Sequence, residues 1–428
     1  MGREERIGGS GGTAAHELRD LLERIIADES CRDRTLPPDE HLGSLAAAIE
    51  AFPGYAVARA KYGSSTSISA GAEDHLFYFN TATGSLGFSA DILALGVLRR
   101  AQDKGVAETL HHLHAFFSQE VRSGRLVMLI SSAFVLTPIR VAEGISLVPL
   151  EELKNSTLSS YEGIKPLVGG HMMAATAALV TPHAVRPAFG TPTPQVTDAS
   201  FAQALIRLED ARRCLCFFGP STPVHLTHIW EPDEDTFGLE GSSWSSPLVE
   251  LIGHEKSHAL SGPELHEYSR LLERFSALPE HNKRVLRVAI DRVNRALRRH
   301  WSVDAAIELG IALEAFFLSD DEQSELTYRL ALRCAWWLGE TPEERKQLMK
   351  WARVVYQCRS DAVHRGYLAE KLTEKWAKSF RGRDTREFIH EACARVLRAI
   401  ELALVRGMPD WAALVTGEPI PREPSDSS

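Results

Sequence analysis

After Pro279 the hydrophobic pattern of the chain changes period, and this change limits the fold more than any other feature. Val285, Leu286, Ala289, Ile290, Val293 and Leu297 recur at the spacing of one helical face, while Arg284, Arg287, Arg292, Arg295, Arg298 and Arg299 lie largely elsewhere. Ser302 is placed to cap a second helix running to Leu318, with Ile307, Ile311, Leu313 and Phe317 among its apolar positions. Asp320 or Asp321 opens a third helix, which Gly339 stops after Leu338. Thr341-Pro342-Glu343-Glu344 joins an N-cap, a proline at the first helical position and a glutamate at the third, a strong start for a fourth. A fifth runs from about Arg386 to Val405, with Ile389, Cys393, Val396, Leu397 and Ile400 inward. Five helices joined by short links predict an antiparallel bundle.

The earlier part of the chain is mixed. Leu18, Leu21, Leu22, Ile25 and Ile26 mark a first helix, and Asp91–Arg100 and Ala107–Phe117 two more. His75–Asn80, Arg125–Ser131 and two short apolar runs on either side of Glu143-Gly144 read as strands and a turn, as do Cys214–Phe218 and Val224–Trp230. The expected fold is thus an α+β N-terminal region followed by an all-α helical bundle. Its expected divisions are a flexible N-terminus over 1–14, an α+β sensor or regulatory region over 15–265, a bundle over 281–417 and a flexible tail over 418–428.

Among 428 residues, 44% are hydrophobic and 25% charged, which excludes collagen, coiled coil and wholesale disorder. No stretch reads as a spanning helix and no signal sequence opens the chain, so a cytoplasmic location without membrane contact is expected. Six scattered cysteines do not make a disulfide framework and are expected to be reduced thiols. The net charge of −9 argues weakly against a nucleic-acid coat, but it is uneven. Residues 281–428 hold 25 of the 48 Lys and Arg and 22 of the 57 Asp and Glu, a net +3, which leaves −12 for residues 1–280.

Three clusters invite a metal or redox reading. His254-Glu255-Lys256-Ser257-His258 matches H-E-x-x-H, in which two histidines one helical turn apart bind zinc and the glutamate acts as base. Lys256 sits unfavourably beside such a cation, and Ser261 and Glu264 replace the continuation seen in metzincins, so His254 and His258 are only a weak metal candidate for a zinc peptidase. His111, His112 and His114 do not share a helical face, and Cys214 and Cys216 lack a second cysteine pair. No cofactor is implied. Phosphate-loop, dinucleotide and α/β-hydrolase motifs are missing from the sequence.

Near the end of the fourth helix stands Tyr356-Gln357-Cys358-Arg359-Ser360-Asp361-Ala362-Val363-His364-Arg365-Gly366. A guanidinium beside an imidazole suits phosphodiester cleavage, with His364 as acid or base and Arg359 holding the charge that builds on phosphorus. An unbroken helix sets residues five apart about 140° from one another, so the two meet only if the helix distorts or ends between them. The alternative is an ordinary Arg and His at a helix end.

Residues 281–417 resemble the HEPN superfamily, specifically its Apea-like branch. The resemblance rests on Ala312-Leu313-Glu314-Ala315-Phe316-Phe317, on Glu325-Leu326-Thr327-Tyr328-Arg329-Leu330, on the R-x4-H segment from Tyr356 to Gly366, and on Gly407-Met408-Pro409-Asp410-Trp411. The resemblance implies a metal-independent endoribonuclease in a toxin or antiviral defence setting, acting as a homodimer in which the two R-x4-H segments line one cleft. It implies Arg359 and His364 as the catalytic pair and the ribose 2′-OH as nucleophile, which confines cleavage to RNA. Ser360 replaces the Asn, Asp or His common in the family after the arginine, with Asp361 next. Glu314, on a helix whose other positions are mostly apolar, is expected to pair with Arg329 or Arg333, the other reading being that it holds Arg359. Arg353, Arg365, Lys371, Lys375, Lys378, Arg381 and Arg383, interleaved with Trp376 and Phe380, suggest an RNA path. The trigger of the N-terminal region is left unknown, and the rival within the same family is a HEPN bundle that dimerises without catalysis.

Overall fold

The computed structural model describes residues 11–28, 39–62, 76–81, 84–88, 90–155, 157–158, 167–168, 171–172, 174–186, 188–189, 199–219, 222–234, 237, 241–243, 257–319, 325–368 and 385–416. An N-terminal region of helices and antiparallel sheet precedes an all-helical region. The first helices are α1 (Gly11–Ala27), α2 (Asp39–Glu50), α3 (Pro53–Tyr62), α4 (Ala90–Lys104) and α5 (Val106–Ser118). Leu18, Leu22 and Ile25 of α1 are buried, as its spacing requires, and the helix takes in residues 11–14, which the sequence read as loose.

The strands are β1 (Leu76–Thr81), β2 (Gly84–Phe88), β3 (Gly124–Ile130), β4 (Ala133–Phe134), β5 (Ile139–Ala142), β6 (Ile145–Val148), β7 (Leu167–Val168), β8 (His171–Met172), β9 (Ala177–Pro182), β10 (Ala188–Phe189), β11 (His225–Pro232), β12 (Gly241–Ser243) and β13 (His258–Ala259). The main sheet has six strands in the order β12-β11-β3-β9-β6-β5, every neighbouring pair antiparallel. Glu143-Gly144 forms the expected tight turn between β5 and β6, and Gly144 takes a φ of +67° that a side chain would strain. Along β3, Leu126, Met128 and Ile130 face the main core, while Val127 and Leu129 join a second apolar cluster on the other side of the sheet.

Cys214–Phe218 is not a strand. Helix α6 (Ala199–Cys214) runs into it and ends in a 3₁₀ turn over Leu215–Phe217. Phe201, Ala204, Leu208 and Ala211 set a helical period that Cys214 and Leu215 continue, and this outweighs the β-like local composition. Cys214, Cys216, Cys334, Cys358 and Cys393 are buried free thiols; burial pushes Cys216 and Cys334 up to about 12.

The helical region opens one helix earlier than the sequence suggests. Ser261 and Glu264 form a capping box that starts α7 (Gly262–Ala277), which spans most of the gap left between the expected regions ending at 265 and beginning at 281. There follow α8 (Glu280–Arg298), α9 (Ser302–Phe317), α10 (Leu326–Leu338), α11 (Pro342–Arg365), α12 (Thr385–Arg406) and α13 (Trp411–Thr416). Thr341 and Glu344 close the expected capping box of α11. Ser302 does not cap α9: it is the first helical residue, and Trp301 holds the cap position without a side-chain hydrogen bond. Asp320 and Asp321 lie outside the described residues.

One apolar core runs through both regions, from Leu18 and Met128 through Leu208, Tyr268 and Leu272 to Ile400. Tyr268 of α7 donates from its hydroxyl to the Ala211 carbonyl of α6 at 3.0 Å. None of the described helices is long and apolar enough to cross a membrane.

Candidate functional site

Helices α9 and α11 pack in opposite directions, with Gly310 opposite Arg359 and Glu314 opposite Tyr356. A Cβ at Gly310 would lie 2.2 Å from Arg359 Cγ, so only glycine lets the arginine stem cross the helix there. Arg359 Nη2 stands 3.4 Å from Glu314 Oε1, and the Tyr356 hydroxyl donates to the same oxygen at 2.7 Å. Burial and the neighbouring Glu314 carboxylate push that hydroxyl up to about 12, so it stays a donor. Arg359 Nε is buried and meets no acceptor among the described residues. Glu314 therefore does not pair with Arg329 or Arg333, as expected from its helix, but holds Arg359. Arg333 instead donates to the Phe317 carbonyl at 2.8 Å and lies over the Trp411 ring.

The other half of the predicted pair stands apart. Helix α11 continues unbroken to Arg365, where Gly366, at φ +71°, ends it with its N–H donating to Ala362 O. The distortion that would bring Arg359 and His364 together does not occur. Arg359 leans on α9, whereas His364 is exposed in the last turn. Asp361 is buried but turns to Gln357 Nε2 at 3.1 Å and Arg365 Nε at 3.7 Å, not to Arg359; Ser360 is half-buried. Arg353 is exposed and lies over the Tyr328 ring, 5.8 Å from its centroid. Lys371, Lys375, Lys378, Arg381 and Arg383 lie outside the described residues, as do Trp376 and Phe380.

The zinc reading loses its geometry. His258 sits on β13, which pairs in parallel with β4, and its Nε2 is 2.8 Å from Glu264 Oε1. A strand residue cannot share a helical face with His254, which itself lies outside the described residues. Among the described residues no group of three His, Cys, Asp or Glu is placed to hold a metal.

A second charged cluster, which sequence reasoning missed, joins the two regions. Asp291 of α8 accepts from Arg212 Nη2 at 2.8 Å and Arg213 Nε at 2.9 Å, both on α6. Arg287 of α8 grips Asp210 through two 2.7 Å bonds and also reaches Glu280. Arg212 donates further to Glu209 and to the Pro223 carbonyl. Burial would raise the Asp291 and Glu209 carboxyls, but the arginines, with His225 beside Glu209, outweigh it and hold both below their ordinary values. Behind them, half-buried Glu209 and the buried His225 and His228 form a chain of contacts at 2.7 and 3.3 Å, and burial with the adjacent His225 drives His228 down to about 3.

The signal that could have found the Arg359 seat is Gly310 itself. A glycine inside an apolar helix costs about 1 kcal/mol against alanine, and it marks a close approach when it is kept. Compared with known proteins, the chain matches no family model, no curated protein and no solved structure.

Proposed function

We propose that the helical region is a HEPN-type, metal-independent endoribonuclease whose site forms between two copies of the chain. The observation that supports this most is the seat of Arg359: a glycine cleared for its stem, one carboxylate, and a tyrosine that orients the carboxylate. Such a seat holds a cation in place while leaving donors for a further anion. One chain keeps Arg359 and His364 on different faces, so a two-fold pairing of α11 ends is needed to gather two arginines and two histidines in one cleft.

In this reading one His364 takes the proton of the ribose 2′-OH. The 2′ oxygen attacks the adjacent phosphorus, and Arg359 stabilises the charge on its non-bridging oxygens. The bond to the 5′ oxygen breaks, that oxygen leaves protonated by His364 of the second copy, and a cyclic phosphate remains. A toxin or antiviral setting follows only from the resemblance.

A non-catalytic dimerisation bundle is the second reading, and the unbroken α11, which keeps Arg359 and His364 apart, favours it. Purified protein incubated with total RNA in EDTA separates the two. Cleavage that His364→Ala and Arg359→Ala abolish, with the dimer retained, supports the nuclease. A dimeric wild type that leaves every RNA intact supports the binding module.

A further inference from the structure

Two aromatic side chains stand exposed at the end of the bundle that carries His364. Trp301 is 69% exposed and Tyr367 57% exposed. The antiparallel register of α9 and α11 brings them to the same end: Trp301 lies nine residues before Gly310, and Tyr367 eight after Arg359. At helical rise the helix ends Ser302 and Arg365 lie about 12 and 9 Å beyond the Gly310–Arg359 contact in one direction, with Trp301 and Tyr367 just past them and His364 in the last turn of α11. The His300 ring meets the Trp301 indole edge-on at 5.2 Å, and Arg365 is exposed beside His364.

Neither aromatic is there for the fold. Trp301 occupies the cap position of α9, where Ser, Thr, Asp or Asn would satisfy a backbone N–H, and it makes no such bond. Tyr367 follows the Gly366 turn and stays outside the core, while the next residue, Leu368, packs against it. Exposed rings with a cation nearby, here Arg365, are what single strands are held by, because every base offers a face to stack and every phosphate a charge.

We infer that this end of the bundle is a stacking platform for single-stranded RNA, with Trp301 and Tyr367 taking unpaired bases and Arg365 the backbone. The inference rests on the ribonuclease reading for its substrate, and it names the substrate class: unpaired RNA, not duplex. A duplex keeps its base faces stacked inside and gives the two rings nothing to cover.

The test uses the full chain carrying His364→Ala, so that RNA stays intact, with fluorescein-labelled oligouridylate and a duplex RNA of equal length, read by anisotropy at fixed salt. Trp301→Ala and Tyr367→Ala should each weaken single-strand binding roughly tenfold, Trp301→Phe should retain most of it, and the duplex should bind far more weakly. Both sites are exposed, so an unchanged unfolding midpoint confirms that the fold is intact. Binding unchanged by Trp301→Ala, or duplex bound as well as single strand, overturns the platform. So does a shift from dimer to monomer in sedimentation with RNA binding retained, which makes the patch a contact between copies. Loss of binding in Trp301→Ala beside a wild type that never cleaves keeps the platform and ends the nuclease reading. Cleavage by wild type with Trp301→Ala equally active does the reverse.

Discussion

Two arginine sites in this chain are built on opposite principles. At the junction of α6 and α8, Arg212, Arg213 and Arg287 direct their donors to Glu209, Asp210, Asp291, Glu280 and the Pro223 carbonyl, at distances that are short throughout. At the crossing of α9 and α11, Arg359 has one carboxylate at 3.4 Å and a buried Nε with no acceptor among the described residues. At the first site every guanidinium nitrogen of Arg212 and Arg287 already has a carboxylate or carbonyl partner. The second is under-satisfied: its buried Nε goes without an acceptor among the described residues, which a folded protein tolerates at cost, and on the proposed reading the half-exposed side chain still has Nη donors for an incoming phosphate. On the proposed reading, the share of donors already used, and not charge alone, separates the two arginine sites.

The comparison can be broken first at the junction. Arg212→Ala leaves Glu209 and Asp291 short of their buried partner and should cost about 3–5 kcal/mol in denaturant unfolding, with both regions melting together. A loss under about 1 kcal/mol, or two separate transitions, would show that the cluster does not tie the regions.

Acid should act on the same side of the comparison. His228 stays neutral in the folded chain down to about pH 3, whereas the unfolded chain binds its proton near 6.5, so stability falls as pH drops from 6.5 towards 3. Glu209 and Asp291 have lowered folded values, so their contribution is present above the ordinary carboxylate range and is lost below it. Unfolding midpoints against pH should therefore show an onset near pH 6.5 that His228→Gln removes. The total is on the order of a few kcal/mol.

Gly310→Ala sharpens the second site. Driving a methyl into the Arg359 stem should cost about 1–3 kcal/mol and, on the ribonuclease reading, abolish RNA cleavage. In an Arg359→Ala background the sign should reverse, to a gain of up to about 1 kcal/mol, because only helix propensity then remains. Equal effects in both backgrounds would mean that the arginine does not need the glycine. The smallest change is Tyr356→Phe, which removes the 2.7 Å bond to Glu314 at about 1 kcal/mol. On the same reading it should weaken cleavage without abolishing it, measured beside Glu314→Gln.

The continuous core also changes how the charge division should be used. The split of +3 against −12 suggests two separate objects. Tyr268, Leu271, Leu272 and Phe275 of α7 are fully buried, and Tyr268 bonds to α6, so cutting near residue 265 would expose core. Any influence of the first region on the second should be sought with point variants such as Asp291→Asn in the full chain.

What the sequence determined by itself was local. Periodicity placed most helices, Thr341 and Glu344 marked the start of α11, Glu143-Gly144 the tight turn, and the five-residue spacing of Arg359 and His364 their separation around an unbroken helix. These follow from backbone geometry within one or two turns, which neighbouring residues decide. It failed at Cys214–Phe218, where a short apolar run reads equally as strand or buried helix end. Only the tertiary structure decided that Glu314 faces Arg359, that Gly310 clears its path, that Asp291 answers Arg212 and Arg213, and that Trp301 and Tyr367 share an end. Each of these depends on the register of one packed helix against another, set by side-chain packing across the whole core and not by any local pattern.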